Sequence, residues 1–177
     1  DASDRKVLGS SMPTWYGGLN NTVSYKNFDL NVFFRFSGGN KIMNASRQSA
    51  LFNMDFSNNG TEILGRWVSP EQPGDGMTPK IGYGDASSLF NDGYTDSHFV
   101  ESGNYLKLST LALGYTLPKA VVSKLNMTKI RFYVQGQNLL TITGYSGLDP
   151  ETNSRLGVDW NGMPQQRSFT FGANITF

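Results

Sequence analysis

The chain of 177 residues carries 15 basic and 14 acidic side chains, and its net charge of +1 gives no electrostatic reason to expect a nucleic-acid partner. It has no cysteine, which excludes disulfide bonds and thiolate metal sites. The mean hydropathy of −0.36 and the lack of long apolar runs exclude helices through a bilayer, but not membrane-spanning strands, whose polar positions dilute the signal.

Alternation of apolar and polar residues with a period of two predicts five strands. The first two lie at about 14–26 and 28–37 and are joined by a tight connection. The second strand is the clearest, because one of its faces is an unbroken apolar row of Phe28, Leu30, Val32, Phe34 and Phe36.

Residues 38–97 lose the alternation and are rich in Gly, Asn, Asp, Pro and Ser. The pattern allows at most a short helix near Lys41–Phe52. An irregular stretch of this length is uncommon inside a compact domain, and it indicates a functional loop.

The third strand is predicted at about 98–117, and its apolar residues change parity along its length. Leu106 and Leu108 alternate out of phase with Leu111 and Leu113. A β-bulge near Ser109–Thr110 would bring the two sets onto one face. Alternatively, the upper part of the strand stands clear of a membrane and packs on loops.

The last two strands are predicted at about 128–140 and 167–177, after a short connection at 118–127 and a second long loop at about 141–166. The final strand runs to the last residue of the chain. Its apolar row consists of Phe169, Phe171, Ala173, Ile175 and Phe177.

The connections alternate between short and long, as they do in outer-membrane barrels with short periplasmic turns and long extracellular loops. Ten residues at about 3.3 Å each, tilted by about 40°, cross roughly 25 Å, the height of the lipid-facing band. Aromatic residues bracket the first and last rows as interface girdles do, at Trp15, Tyr25, Phe169 and Phe177. A soluble β-sandwich with half-buried strands gives the same alternation and is the alternative fold.

Five strands cannot close a barrel, and open sheet edges are not tolerated in lipid. The membrane interpretation therefore predicts that these residues are the C-terminal end of a larger barrel. Residues 1–20 lack the basic start and apolar stretch of a signal peptide, and the first residues look like the tail of a preceding extracellular loop.

Three stretches, at 4–44, 104–151 and 167–177, resemble the SusC/RagA-like TonB-dependent transporters of the Bacteroidetes outer membrane. The resemblance includes the strings "LGYTLP", "GQNLLT" and "YSGLDPE" in their order and spacing. It implies an all-β fold in which these are the last five antiparallel strands of a 22-stranded transmembrane barrel, plugged by an N-terminal domain.

The same resemblance implies a function and partners. It implies import of oligosaccharides or oligopeptides across the outer membrane, energised through TonB, with a SusD-like surface lipoprotein as a hinged lid. The TonB box and the plug would lie in an N-terminal part outside this sequence. A siderophore or cobalamin receptor of the same superfamily, and a soluble carbohydrate-binding or adhesion module, are alternative functions.

Candidate contact residues fall in two sets. Aromatic side chains of the long loops could stack on sugar rings, grip peptide side chains or contact the lid: Trp67, Tyr83, Phe90, Tyr94, Tyr145 and Trp160. Polar side chains expected to face the barrel lumen, where they wet the wall or hold the plug, are Arg35, Lys129, Arg131, Gln135 and Gln137. The terminal Phe177 resembles the signal recognised for barrel insertion.

Titratable residues give no sign of catalysis, and the sequence predicts neither an enzyme nor a bound cofactor. A cluster at Asp92, Asp96, His98 and Glu101 is interpreted as a solvated loop, since a single histidine without helical spacing does not make a metal site. Asp149, Glu151 and Asp159 could ligate calcium at a loop tip, although their spacing matches no defined calcium loop. No serine lies in a nucleophile elbow.

Overall fold

A computed structural model of the chain describes residues 5–51, 58–80, 97–151 and 156–177. These residues belong to two compact units. The first, which we call the loop unit, comprises Asp1–Met12, Lys41–Ser102 and Tyr145–Met163. The second, the strand unit, comprises Pro13–Asn40, Gly103–Gly144 and Pro164–Phe177.

Most of the regular structure is β-strand. In chain order the strands are β1 (Trp15–Tyr25), β2 (Phe28–Gly38), β3 (Lys41–Asn44), β4 (Val100–Ser102), β5 (Tyr105–Thr116), β6 (Lys129–Thr143), β7 (Val158–Asp159) and β8 (Ser168–Thr176). The helices are α1 (Ala45–Leu51), α2 (Lys119–Val122) and the 3₁₀ turns Thr61–Gly65, Ser97–Phe99 and Ser123–Leu125. Across the described ranges, no helix has the length and apolar character needed to cross a membrane.

The strand unit is a five-stranded antiparallel sheet in the order β1-β2-β5-β6-β8. β1 and β2 are joined by the two-residue turn Lys26-Asn27, in which Lys26 has a φ of 53°. A left-handed residue is the usual requirement of a two-residue hairpin, because it matches the twist of the flanking strands. The expected all-β, antiparallel fold class is confirmed.

A β-bulge keeps the apolar row on one face of this sheet. Phe33 pairs with Thr110 and Phe34 pairs with Leu108, which leaves Ser109 as the extra residue of β5. Because side chains alternate between faces, the extra residue returns Leu106 and Leu108 to the face that carries Leu111. The bulge predicted near Ser109–Thr110 is confirmed.

The register places the apolar rows of all five strands on the same face. Paired residues share a face, and the pairs Leu19–Phe34, Val32–Leu111, Leu113–Val134 and Val134–Phe171 connect the rows across the sheet. Most of these side chains are not covered by the described residues: Leu19 is 59% exposed, Phe132 51% and Phe171 78%, although Ile130 is buried. The sheet therefore has one uncovered apolar face and one polar face.

The loop unit contains a small sheet in which β3 pairs antiparallel with β4 and parallel with β7. Helix α1 follows β3 directly. The core of this unit includes the fully buried side chains of Ile42 and Phe99 and the buried Ala45.

Two expected elements differ from the structure. The sequence predicted at most a short helix near Lys41–Phe52. In the structure this segment begins with β3, and its helix comprises Ala45–Leu51. The strand expected over 98–117 is divided into a 3₁₀ turn, β4 and β5. The break lies at Gly103 and Asn104, whose polar groups bond to the end of β2: the Gly103 amide donates to the Asn40 carbonyl, and Asn104 Oδ1 accepts from the Gly39 amide.

Candidate functional site

Arg47 is the centre of a polar network in the loop unit. Its Nε donates to Glu62 Oε2 at 2.9 Å, and its Nη2 makes a second bond to Glu62 Oε1. Its Nη1 lies 3.4 Å from Glu101 Oε1 and donates to the His98 carbonyl. One guanidinium therefore joins α1, the Thr61–Gly65 turn and the residues around β4.

The network fixes the charge states of its strongest pair. The hydrogen bond from Arg47 holds the pKa of Glu62 below its usual range, against the opposing effect of burial. Correspondingly, the hydrogen bond to Glu62 raises the pKa of Arg47. His98 Nε2 lies 3.4 Å from both Arg47 Nη2 and Glu62 Oε1, so the imidazole contacts both members of the ion pair.

Asn44 connects the network to the second long loop. Its Nδ2 donates to Glu101 Oε1 at 3.2 Å and to Ser146 Oγ at 3.1 Å. Its Oδ1 accepts from the Arg47 amide at 2.9 Å, the geometry of an N-cap for α1. Ser146 completes the contact by donating its amide and hydroxyl hydrogens to the two oxygens of Glu101. The buried Asn44 thus orients both Arg47 and Glu101.

Two residues predicted for different roles are bonded to each other. The Tyr145 hydroxyl donates to Asp159 Oδ2 at 2.5 Å, and both side chains are buried. Burial, reinforced by this hydrogen bond, raises the pKa of Tyr145 above its ordinary value. The other oxygen of Asp159 accepts from the Gly162 amide. Tyr145 therefore positions Asp159 and does not present its ring to solvent.

Two of the three residues of the predicted calcium site accept hydrogen bonds from the protein. Asp149 Oδ1 accepts from the Glu151 amide at 3.0 Å, and Asp159 is bonded as described above. Within the described ranges, no three His, Cys, Asp or Glu side chains converge as metal ligands. A calcium ion at these residues stays a prediction.

An open pocket of about 530 Å³ lies in the loop unit beside this network. Most of its lining residues have polar side chains, and the exposed Leu148 also lines it. The lining residues are Asn44, Ser46, Arg47, Glu62, Ser146, Gly147, Leu148, Asp159 and Asn161. In this pocket, polar groups that are hydrogen-bonded within the protein surround enough space for a small ligand.

The loop aromatics have different environments. Trp160 is 73% exposed and lies in sequence between the pocket residues Asp159 and Asn161. Trp67 is more covered, and the Lys80 ammonium lies 6.0 Å from the centre of its ring. The other predicted residues, Tyr83, Phe90, Tyr94, Asp92 and Asp96, lie outside the described residues.

The residues predicted to face a lumen share the polar face of the strand unit: Arg35, Lys129, Arg131, Gln135 and Gln137. Arg131 Nε donates to Asp29 Oδ1 at 2.9 Å. Arg35 Nε donates to the hydroxyl of Ser109, the bulge residue, at 2.8 Å. Their contact with a lumen or a plug stays a prediction, as does the role of the exposed Phe177 in assembly.

The sequence-based interpretation of His98 and Glu101 as part of a solvated loop is wrong, since both side chains are largely covered and belong to this network. Sequence reasoning gave no such role to Arg47, Glu62 or Asn44. Apart from the local contact between Asn44 and Arg47, the missed residues are 15 to 102 positions from their partners, so no spacing in the sequence joins them. The one local signal was an asparagine directly before a helix, which is typical of an N-cap.

Comparisons with known proteins cover nearly the whole chain. No family model matches it. TonB-dependent receptor P3 of Formosa agariphila is 33% identical in an alignment of 185 positions, which covers 99% of this chain and 17% of the relative. TonB-dependent receptor SusC of Bacteroides thetaiotaomicron is 25% identical in an alignment of 193 positions, which covers 100% of this chain and 16% of the relative.

Solved structures give the same result. The structure of the RagAB peptide transporter superposes with a TM-score of 0.81 at 27% identity, over 97% of this chain and 18% of the matched chain. The RagAB peptide importer in its 'open-open' state matches with a TM-score of 0.79 at 26% identity, over the same shares. The chain thus spans about a sixth of the length of the relatives it matches, and these relatives are named as receptors and importers rather than as enzymes.

Proposed function

We propose that this chain, which belongs to the SusC/RagA-like TonB-dependent receptors, supplies five neighbouring strands of an outer-membrane barrel that imports nutrients. The predicted resemblance is confirmed by these relatives, and the barrel fold by the solved structures. The activity, cargo and partners of the whole receptor belong to the proposal, since the chain is about a sixth of such a receptor.

One observation supports the membrane location most directly: the uncovered apolar face of the strand unit. Soluble proteins rarely expose a contiguous apolar patch larger than a few hundred Å². Here the patch runs across five strands, with exposed large side chains such as Leu19, Phe132 and Phe171. Hydrocarbon on this face, with water or a plug on the polar face, satisfies both surfaces.

The edges of the sheet support the same proposal. β1 and β8 each pair with one neighbour among the described strands, so each has an edge without a partner there. Unpaired backbone groups are not tolerated in lipid, and further strands must cover both edges. The much greater length of the relatives provides room for those strands.

The proposed cargo is an oligosaccharide or an oligopeptide, with a SusD-like surface lipoprotein as the lid and TonB as the source of energy. The matched structures are of a peptide importer, which supports the peptide part of this cargo range. Among the loop aromatics that the structure describes, Trp160 is the most exposed, and we propose that it contacts cargo or lid. The polar residues Arg35, Lys129, Arg131, Gln135 and Gln137 are proposed to contact the plug.

Uptake by cells tests the proposal. A strain lacking the complete gene should fail to accumulate a fluorescent oligosaccharide or oligopeptide that the parent strain accumulates, and a protonophore should abolish uptake in the parent. A strain with the gene restored is the control. Recovery of the receptor in the soluble fraction, or unchanged uptake of all such cargo in the deletion strain, would contradict the proposal.

A further inference from the structure

We propose that the end of the strand unit that carries the short connections binds the headgroups of anionic phospholipids. This end comprises the turn between β1 and β2 and the connection 117–128 between β5 and β6. The inference rests on the proposed barrel, in which the surface of one membrane leaflet surrounds the short connections. It adds a lipid partner to that proposal and assigns its binding to three side chains: Lys26, Lys119 and Lys124.

Charge is distributed unevenly between the two units. By sequence, the strand unit has eight basic residues and one acidic residue, a net charge of +7, whereas the loop unit has 7 basic and 13 acidic residues, a net charge of −6. The one acidic residue of the strand unit, Asp29, lies on the polar face and is bonded to Arg131. The turn and the connection have lysines but no carboxylate, so a negatively charged partner complements this end.

Aromatic side chains mark the depth of this end in a bilayer. Four of them are paired in series across neighbouring strands and so share the apolar face: Tyr25, Phe28, Tyr115 and Phe132. The rings of Phe28 and Tyr115 have their centres 4.7 Å apart, and Phe132 is 51% exposed. Rows of aromatic rings of this kind lie at the headgroup level of a membrane. Lipid headgroups are therefore expected next to this row.

Lys26 lies on the same side of the sheet as these rings. Its Nζ is 5.3 Å from the centre of the Tyr25 ring, and Tyr25 is 69% exposed on the apolar face. A lysine can lay its apolar stem along such a surface while its ammonium group reaches the phosphate layer. Over the described ranges, none of the three lysines takes part in an ion pair. The ammonium groups are thus available to phosphate.

The connection 117–128 has a buried side and an exposed side. Helix α2 carries the buried Val122 and contacts β6, whose apolar row includes the buried Ile130, so the connection lies against the apolar face. The larger exposed side chains are basic and apolar in turn: Lys119, Val121, Lys124 and Leu125. A surface of this composition lies in a bilayer interface with its apolar side chains toward hydrocarbon and its lysines at the phosphates.

Photo-cross-linking of the complete receptor, reconstituted in vesicles of phosphatidylcholine, tests this inference. The probes are phosphatidylglycerol and phosphatidylcholine with the same photoreactive group close to the phosphate, and mass spectrometry locates the labelled peptides. We expect the anionic probe to label residues 25–28 and 117–128 about tenfold more than the zwitterionic probe. The triple variant Lys26→Gln/Lys119→Gln/Lys124→Gln should bring this ratio to within about twofold of one.

The matched control is Lys6→Gln/Lys41→Gln/Lys80→Gln, which removes the same charge from three exposed lysines of the loop unit. It should leave the ratio within about twofold of that in the unchanged receptor. Salt provides a second test that needs no variant. Raising the salt concentration from about 0.1 M to about 1 M should lower the ratio, because the attraction between ammonium and phosphate is screened over a shorter distance.

Equal labelling by the two probes, or a ratio that neither the triple variant nor salt changes, would overturn the inference. A third outcome would also overturn it, namely loss of the preference when soluble glycerol phosphate is added at the concentration of the probe. In that case the lysines would bind a free phosphate ester and not a lipid.

The uptake experiment separates this failure from failure of the import proposal. Energised uptake by a receptor whose short connections show no preference for the anionic probe would leave import intact and remove the lipid site. Conversely, a preference that depends on the three lysines in a receptor without energised uptake would remove import and keep the lipid site.

Discussion

At the scale of single residues, Gly114 has no side chain, and this leaves room for an ion pair across the sheet of the strand unit. The ion pair between Arg131 of β6 and Asp29 of β2 passes over the intervening strand β5 at Gly114. A Cβ atom built at Gly114 would lie 2.3 Å from Arg131 Nη2 and 2.5 Å from Asp29 Oδ1. A side chain at position 114 would therefore displace the ends of the two charged side chains.

We expect Gly114→Ala to destabilise the receptor by about 1 kcal/mol or less, because the methyl group displaces the ends of two flexible, partly exposed side chains and disrupts their ion pair. Thermal unfolding of the complete receptor in detergent measures the change. The control is Ala112→Ser, on the same face of the same strand, which adds one atom without approaching the pair. Equal melting temperatures for the two variants would show that the ion pair does not need the glycine.

Arg47 and Glu62 predict a dependence of the loop unit on pH. The pKa of Glu62 is lowered in the folded protein from its ordinary value of 4.5, so the pair stabilises the fold above that pH and ceases to do so as the pH falls through the lowered pKa. Glu62→Gln should therefore reduce the hydrogen-exchange protection of α1 at pH 7, whereas at pH values below the lowered pKa it should make no difference.

Mass spectrometry of the exchanged receptor, corrected for the intrinsic effect of pH on exchange, gives this comparison. The β5 peptides serve as the internal reference, since they lie in the other unit. If Glu62→Gln lost the same amount of protection at every pH, the charge of Glu62 would not be what stabilises its contact with Arg47, and the prediction would be wrong.

At the scale of elements, the two faces of β6 should respond differently to the same change. Val134 lies on the apolar face and Gln135 on the polar face. Val134→Arg should cost about 2–4 kcal/mol near the middle of a bilayer, because the charge must be removed from water. Gln135→Arg should be much milder, and comparing the folded fractions of the two variants in urea titrations with lipid vesicles measures the difference. Equal tolerance would contradict the assigned faces.

The long strands could be predicted from the sequence because their alternation is local. Even the bulge at Ser109 was visible, since the parity of the leucines changes around it. The small sheet of β3, β4 and β7 could not be predicted: its strands have two to four residues, and pairing partners such as Met43 and Val158 are far apart in sequence. The polar network and pocket were missed for the same reason, because they depend on contacts between distant segments such as Asn44 with Ser146.

At the scale of the whole molecule, the strand unit has both an uncovered face and uncovered edges. Lipid or detergent can cover the apolar face, but neither can pair with the backbone groups along β1 and β8. A soluble β-sandwich would instead cover its apolar face with a second sheet. Besides this sheet, the described part of the chain has only the strands β3, β4 and β7 of the loop unit, which are two to four residues long.

The two interpretations therefore predict opposite behaviour for residues 1–177 expressed alone. As a barrel segment, the piece should not fold as a stable monomer in water or in detergent, because its edges need strands that it does not contain. The complete receptor should resist SDS until heated and change its migration on a gel after boiling, whereas the piece should migrate identically before and after. A piece that is monomeric in aqueous buffer and unfolds cooperatively would show that the apolar face is covered by protein, and the lipid-facing assignment would then be wrong.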